Sequence, residues 1–349
     1  MKHNPYSLMF GKEPGQMIDR VVQRDEVVES FVSSEPSQMV YMVAGVRGSG
    51  KTVFLTDIMG RFKKEKDWIV VQLNPERDLL TALLAKLCSD NTLVRILKNA
   101  KLNLSFFGLS ISTSQTEPPI TDVEAALSKV LEQIKKHGRR VLIAIDEVSN
   151  NPNVKTFAAA YQILVQQGLP VFLIMTGLYD NIYNLQNEKT LTFLYRAPKL
   201  QLKALNTGSM AGSYLRTLDV SENTARKMAQ LTKGYAFAFQ VLGYYAFQEE
   251  GDYQKAIGPT RLYLDEYVYE KIWIELSARD KDILYALAET SSGAVAEIRE
   301  KLSMKPNEFA PYRERLIRKG VVDGGERGRL EFSLPFFDEY VLDHYRDII

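Results

Sequence analysis

The chain has 349 residues, with 44 Lys and Arg against 43 Asp and Glu, a formal net charge of +1. That balance excludes a polybasic nucleic-acid coat and an acidic tail, so any basic surface must be local. Apolar residues at 45% and charged residues at 25% are ordinary for a folded protein and too apolar for disorder, while one cysteine, Cys88, and three histidines exclude an internal disulfide and a Cys/His zinc cluster.

At about 150 residues per domain, this length predicts two or three domains. Residues 1–10 lack the apolar region of a secretory signal, and the longest apolar stretch, 235–247, contains Gln240 and falls short of the ~20 residues that cross a bilayer. The expectation is a cytoplasmic protein with no membrane span. In the first half, short β-branched runs alternate with amphipathic helical patterns, the signature of a parallel α/β sheet covered by helices. Strands are expected at 39–44, 68–73, 141–145, 171–175 and 199–202, each nearly continuous in apolar residues, as in strands covered on both faces. Helices are expected at 51–62, 79–88, 122–137 and 154–167. Residues 101–114 break this alternation: Leu102, Leu104 and Phe106, then Leu109 and Ile111 about Gly108, read as an inserted β-hairpin.

Strand signals stop near 205. Helical patterns at 208–218, 221–232, 236–249 and 262–276 predict an α-helical segment over 206–276. Residues 277–349 change pattern again, with helices at 278–289 and 294–302, a third ending near Lys319, and a run over 321–334 bent at Gly324 and Gly325. Two short helices, a third helix and a glycine-turned hairpin spell a winged helix-turn-helix. The predicted domains are thus 1–205, 206–276 and 277–349.

The sharpest motif is Gly45-Val46-Arg47-Gly48-Ser49-Gly50-Lys51-Thr52, which fits G-x-x-x-x-G-K-[ST] at every fixed position. It follows an expected strand and opens an expected helix, the context that aims backbone N–H groups and a helix N-terminus at a phosphate. Lys51 would set a cation on the β- and γ-phosphates of ATP, and the Thr52 hydroxyl would ligate Mg²⁺. Five apolar residues, 141–145, run straight into Asp146 and Glu147. At a strand's C-terminal end, where open α/β sheets bind ligands, Asp146 is the natural magnesium partner and Glu147 the group that polarises an attacking water.

Together, the Gly45–Thr52 loop, the Asp146-Glu147 strand end, a helical segment and a terminal winged helix resemble P-loop ATPases of the AAA+ superfamily. The similarity is to the branch joining archaeal origin initiators with the STAND regulatory ATPases. Asn4-Pro5-Tyr6, Phe10-Gly11, Pro14 and Met17-Ile18-Asp19-Arg20 are similar to that family's amino-terminal box, which lies over the adenine. The resemblance implies Ile18 as an adenine contact, although Asp19 stands where the family usually has Gly; the other reading of Ile18 is a core residue. It implies that Thr176, after 173–175, positions the hydrolytic water, the alternative being a strand cap. It implies that Arg196 reaches a neighbouring subunit's γ-phosphate, the alternative being an ion pair within its own subunit. Lys233-Gly234-Tyr235-Ala236-Phe237 is similar to the family's Gly-x-Pro element that touches adenine from the lid, which makes Tyr235 a nucleotide contact, with Ala236 in place of proline. No arginine matches the lid sensor; Arg226 lies earlier in the preceding helix.

Residues 277–349 hold 12 basic and 14 acidic side chains, but 299–329 hold nine and five, a local net of +4. On the expected recognition helix, Phe309, Tyr312, Leu316 and Ile317 share one apolar arc that contains Arg313, whereas Arg315 and Arg318 fall on the opposite side. Pro311 is expected in the first turn of that helix. Arg315 and Arg318, with Arg327 and Arg329 on the wing, are the candidate contacts to double-stranded DNA. The functional expectation is a Mg²⁺-dependent ATPase that binds ATP and ADP and acts as a nucleotide-controlled regulator on DNA. The alternative is a nucleotide-gated switch that engages a protein partner or itself, with slow or no hydrolysis.

Overall fold

The structure is a computed structural model that describes residues 3–9, 14–98, 100, 102–108 and 119–346. By their contacts these residues form two compact units, one of residues 21–44 and 51–201, the other of the described residues up to 20 together with 45–50 and 202–346.

The first unit is built on five parallel strands, β1 (Val40–Ala44), β2 (Trp68–Leu73), β3 (Arg140–Ile145), β4 (Val171–Gly177) and β5 (Lys199–Gln201), in the order β2-β3-β4-β1-β5. Parallel neighbours require crossovers, which are supplied by α2 (Lys51–Phe62), α3 (Leu79–Ser89), α4 (Asn91–Lys98), α5 (Val123–Lys136), α6 (Pro152–Gln166) and α7 (Tyr179–Gln186); α1 (Val21–Val32) precedes β1. Period-two alternation sorts the strand side chains. Val40, Met42, Val141, Ile143, Val171 and Leu173 join the core beneath α3, α5 and α6. Tyr41 and Phe172 turn to the other face, where their rings meet Phe31 of α1, and Phe172 also meets Trp68. Several helix starts are capped as their sequences dictate: Asp78, Asp122 and Asn151 each accept from amides of the first turn, and Pro152 occupies the first helical position, where its missing N–H costs nothing.

Residues 102–108 form no hairpin arm. Leu102 and Leu104 are buried in the sheet's core, and Ser105–Phe107 make a single 3-10 turn closed by Gly108 in the left-handed region (φ +70°). The alternation read as a strand there marks anchoring leucines of an irregular segment. The second expected arm, 109–114, lies outside the described residues.

In the other unit, α8 (Thr207–Thr217), α9 (Glu222–Leu231) and α10 (Ala236–Gln248) enclose a core of Met210, Tyr214, Met228, Phe239 and Leu242, into which Tyr6 also packs. The single helix expected at 262–276 begins earlier and is interrupted: α11 (Tyr253–Leu264) contains Pro259, Asp265–Tyr269 is a π-turn, and α12 (Glu270–Ile274) completes it. Then come α13 (Ala278–Ala288), α14 (Val295–Lys301), α15 (Pro306–Lys319), the two-stranded antiparallel ribbon β6 (Val322–Asp323) and β7 (Glu331–Phe332), and α16 (Phe337–Arg346). α15 starts at Pro306, so Pro311 sits inside it and not in its first turn. Burial of Phe309 and Leu316 outweighs the bond the proline removes. The predicted boundary near 205 falls close to the division at 201/202. At 276/277 the core is continuous, since Leu264, Val268, Tyr269 and Trp273 share one apolar cluster with Ile283, Leu316 and Phe337. Among the described residues, no helix is long and apolar enough to cross a membrane.

Candidate functional site

Strand register brings the acidic pair to its place. Val43 pairs with Thr176, Ala44 with Gly177 and Ile145 with Met175, so Asp146, the first residue beyond β3, falls beside Thr176. The fully buried Thr176 hydroxyl donates to Asp146 Oδ1, and the Thr52 hydroxyl donates to Asp146 Oδ2 at 2.7 Å. The Glu147 N–H donates to Asp146 Oδ1 at 3.0 Å and to the Thr176 hydroxyl at 3.3 Å. These bonds hold Glu147, which is exposed, at φ +55°, a left-handed backbone that costs a non-glycine residue about 1–2 kcal/mol. The Asp146 carboxylate is thus fixed by two hydroxyls and an amide, with no cationic side chain among the described residues to neutralise it. Hydroxyl and carboxylate oxygens are the hard donors that Mg²⁺ selects, so the residues present fit that cation. Thr176 spends its proton on Asp146, so its observed work is to orient the two acids.

The motif Gly45–Thr52 is one continuous stretch whose last two residues open α2, where Lys51 is buried. Its loop, 45–50, belongs to the same compact unit as the helices from 207 onward. There the Ser49 N–H closes a tight turn onto the Val46 carbonyl at 3.2 Å. The Tyr235 hydroxyl donates to the Arg47 carbonyl at 2.6 Å, the Phe237 N–H to the Gly48 carbonyl at 3.1 Å, and Arg20 Nη2 to the Ser49 carbonyl at 3.0 Å. Two glycines are demanded by these neighbours. A Cβ at Gly48 (φ +70°) would lie 2.1 Å from the Tyr235 hydroxyl, and one at Gly45 would lie 2.4 Å from Ser49 Oγ. Ser49 Oγ itself is buried without a hydrogen-bond partner, a polar atom that a phosphate oxygen would satisfy. The variable loop residues face the C-terminal residues: Arg47 pairs with Glu275 at 2.6 Å, and Val46 packs beside Gly320 at the end of α15.

The other expected site residues divide. Tyr235 is buried, its hydroxyl committed to the loop backbone, and burial pushes its ionisation well above the usual tyrosine range. Ile18 is half-buried against the cluster of Tyr6 and Met210. Arg196 is exposed at the end of the 3-10 turn Thr192–Arg196, and Arg226 pairs with Glu222 on its own helix. Arg20 was named in the sequence only as the last residue of the amino-terminal box Met17-Ile18-Asp19-Arg20, without a role of its own.

Of the four arginines expected to meet DNA, Arg315 is engaged within its own unit. Its guanidinium donates to Asp280 Oδ1 at 2.7 and 3.1 Å and to the Ser277 hydroxyl at 2.9 Å, and it lies over the Tyr312 ring. Helical periodicity put Arg315 off the apolar arc but gave no view of α13, whose first turn presents a carboxylate to that side. Arg318 is half-buried and engaged with neighbouring groups. Arg327 and Arg329 are exposed on the turn between β6 and β7, where Arg329 pairs with Glu326 at 3.3 Å. Arg313 donates to the Gly324 carbonyl at 3.3 Å and braces the same turn.

Residues 18–171 match the model of a family described as an ATPase domain predominantly from Archaea, and residues 266–341 match that of a domain of unknown function. A search of curated proteins found no match. Among solved structures, a Walker-type ATPase of Pyrococcus abyssi is similar at 18% identity and TM-score 0.65, over 94% of this chain and 96% of that one. The ORC2 protein of Aeropyrum pernix, solved as ADPNP-ADP complexes, is similar at 14% identity and TM-score 0.60, over 97% and 96%. At these identities the likeness is one of fold, the P-loop AAA+ fold of archaeal origin-recognition proteins.

Proposed function

We propose that this chain, whose residues 18–171 match an ATPase domain found predominantly in Archaea, is an ATP hydrolase that works as a Mg²⁺-dependent switch whose nucleotide state is read by its C-terminal half. The observation that carries this reading is the Thr52–Asp146–Thr176 network, a carboxylate oriented by hydroxyls at the tip of β3. Thr52 and Asp146 would hold the metal, which when bound neutralises charge on the β- and γ-phosphates. Lys51 supplies a second positive charge to the same phosphates. Glu147 accepts a proton from the attacking water, and its exposed position leaves that carboxylate accessible to solvent. Arg47 and Val46 belong to the phosphate loop and meet Glu275 and Gly320, so a change in loop geometry reaches the residues beyond 270 directly.

The test is phosphate release with and without Mg²⁺. Glu147→Gln is expected to lower turnover by about 10²–10⁴-fold while ATP still binds. Lys51→Ala is expected to lower ATP affinity as well, with the fold retained. Equal release from the parent and the Glu147→Gln variant would remove hydrolysis from the proposed role.

A second reading, action on DNA, is favoured by one observation. Three helices, α13, α14 and α15, are followed along the chain by an antiparallel ribbon, the element order of a winged helix, and the ribbon's turn carries exposed Arg327 and Arg329. Because Arg315 is committed to Asp280, this reading places the contact on the turn. Arg327→Ala with Arg329→Ala is expected to weaken duplex binding and to reduce the slope of log affinity against log salt by about 2. Absence of duplex binding at low salt, with and without ATP, would assign the C-terminal residues to a protein partner or to self-association.

A further inference from the structure

Three consecutive carbonyls of the phosphate loop, those of Arg47, Gly48 and Ser49, each accept a hydrogen bond from a donor outside the loop: the Tyr235 hydroxyl, the Phe237 N–H and the Arg20 guanidinium. The described residues contain no cis peptide, and in a trans peptide the N–H points opposite to the C=O. A peptide between flexible glycines has two accessible orientations, which exchange an N–H for a C=O on a given side. A carbonyl oxygen turned toward a polyphosphate repels it, whereas an N–H turned toward it binds it. Donors that hold the carbonyls on the outside therefore select the orientation that a phosphate needs on the inside.

Arg20 adds charge to this geometry. Its Nη1 donates to the Lys203 carbonyl at 2.7 Å and its Nη2 to the Ser49 carbonyl, so the side chain ties the start of the helical segment to the loop. Both acceptors are neutral. Burial pulls its ionisation down to about 10, which still leaves the guanidinium cationic at neutral pH. Beside it lies the buried, unpartnered Ser49 Oγ. A cation that among the described residues bonds only to backbone carbonyls, one of them on the residue whose hydroxyl is unsatisfied, suits an anion carrying several oxygens.

We infer that Arg20 and Tyr235 are positioning residues for polyphosphate binding, acting through the Ser49 and Arg47 carbonyls, and that Tyr235 does not serve as an adenine contact. The inference rests on the nucleotide reading proposed above and adds to it the residues that preset the loop. Tyr235 is suited to this role because a phenol presents a hydroxyl donor from a rigid, buried ring, and Gly48 is the residue that leaves room for it.

Isothermal calorimetry on the full chain, with Mg·ATP and with inorganic tripolyphosphate as separate ligands, tests it. Tyr235→Phe keeps the ring and removes only the donor; Arg20→Gln removes the charge. Each is expected to weaken ATP and tripolyphosphate alike by about tenfold, the effect of losing one donor to the loop. Arg20→Lys is expected to recover part of the loss, since an ammonium reaches one carbonyl but does not span two. Melting curves of the ligand-free variants identify the temperature range in which each is folded, and titrations are run within it. Unchanged affinity for both ligands in Tyr235→Phe and Arg20→Gln would overturn the inference. A loss for ATP with none for tripolyphosphate would also overturn it, by returning Tyr235 to the adenine. A parent chain that binds neither ligand would instead bring down the nucleotide reading itself.

Discussion

Two aspartates, Asp146 at the tip of β3 and Asp280 in the first turn of α13, sit in networks of similar size and opposite meaning. Asp280 is buried, accepts from the Ser277 hydroxyl and N–H in a capping box, and is neutralised by Arg315 at 2.7 Å. Asp146 accepts from two hydroxyls and an amide, and the next residue in the chain is a second acid. The Asp280 network is closed: charge cancelled, helix start capped, two helices tied. The Asp146 network is open, its geometry fixed and its charge uncompensated by the side chains of the described residues. Burial and hydrogen bonding do not separate the acid proposed to hold a cation from the structural one. Charge closure does.

Exchanging the acids one at a time sharpens that contrast. The largest effect is expected from Asp146→Asn, which keeps an acceptor oxygen for one threonine, meets the other with an amide N–H that its hydroxyl can accept by rotating, and removes the charge. Turnover at saturating Mg·ATP should fall by at least about 100-fold, with the melting temperature within about 2 °C of the parent. Asp280→Ala should do the reverse. It leaves Arg315 facing an uncharged site and removes the capping box, at a cost of about 2–3 kcal/mol, seen as a lower midpoint in urea with nucleotide affinity within about twofold of the parent. If Asp280→Ala lost nucleotide affinity while Asp146→Asn lost stability, the distinction between open and closed networks would be wrong.

A smaller effect is expected at Asp265, a half-closed case in the π-turn. One of its carboxylate oxygens is buried without a partner, and burial, opposed by Arg261 and His344, raises its ionisation to about 6. The unfolded chain releases this proton near pH 4 and the folded chain near pH 6. Stability is therefore highest below about pH 4 as far as this group is concerned, falls as pH rises between the two values, and carries the full penalty above about pH 6. Asp265→Asn should flatten that dependence and stabilise the protein at pH 7 by about 1 kcal/mol, allowing for partial exposure. A pH profile of the melting temperature that is the same in both proteins would remove Asp265 as its source.

The parts of the site that could be read from sequence are those fixed by local chain geometry. The loop Gly45–Thr52, the run of apolar residues into Asp146-Glu147 and the two-sided burial of β1, β3 and β4 are all properties of contiguous residues. Arg315, Arg20 and Tyr235 were harder to place because each is defined by a partner distant in the chain, 35 residues for Arg315 with Asp280, 29 for Arg20 with Ser49 and 188 for Tyr235 with Arg47. Helical periodicity told which face Arg315 occupies and not what lies opposite it. The proline rule applied to Pro311 failed for a related reason. Pro259 and Pro311 lie inside α11 and α15, where buried neighbours such as Leu264 and Leu316 hold the helix against the lost bond. Leu102 and Leu104 alternate as a strand would, yet they only anchor an irregular stretch to the core.

The wide turn at Asp265–Tyr269 sets the phase of everything after it up to Ile274. One surplus residue is accommodated there, so the side chains downstream are rotated by about 100° relative to an uninterrupted helix. Ile272 and Trp273 are buried, while Ile274 is exposed. Removing a single residue, Glu266, would let the two helices fuse and turn that pair away from the apolar interior. A one-residue deletion in this turn is thus expected to harm the protein more than most substitutions along the same helix, because it miscounts the residues on which the later packing depends.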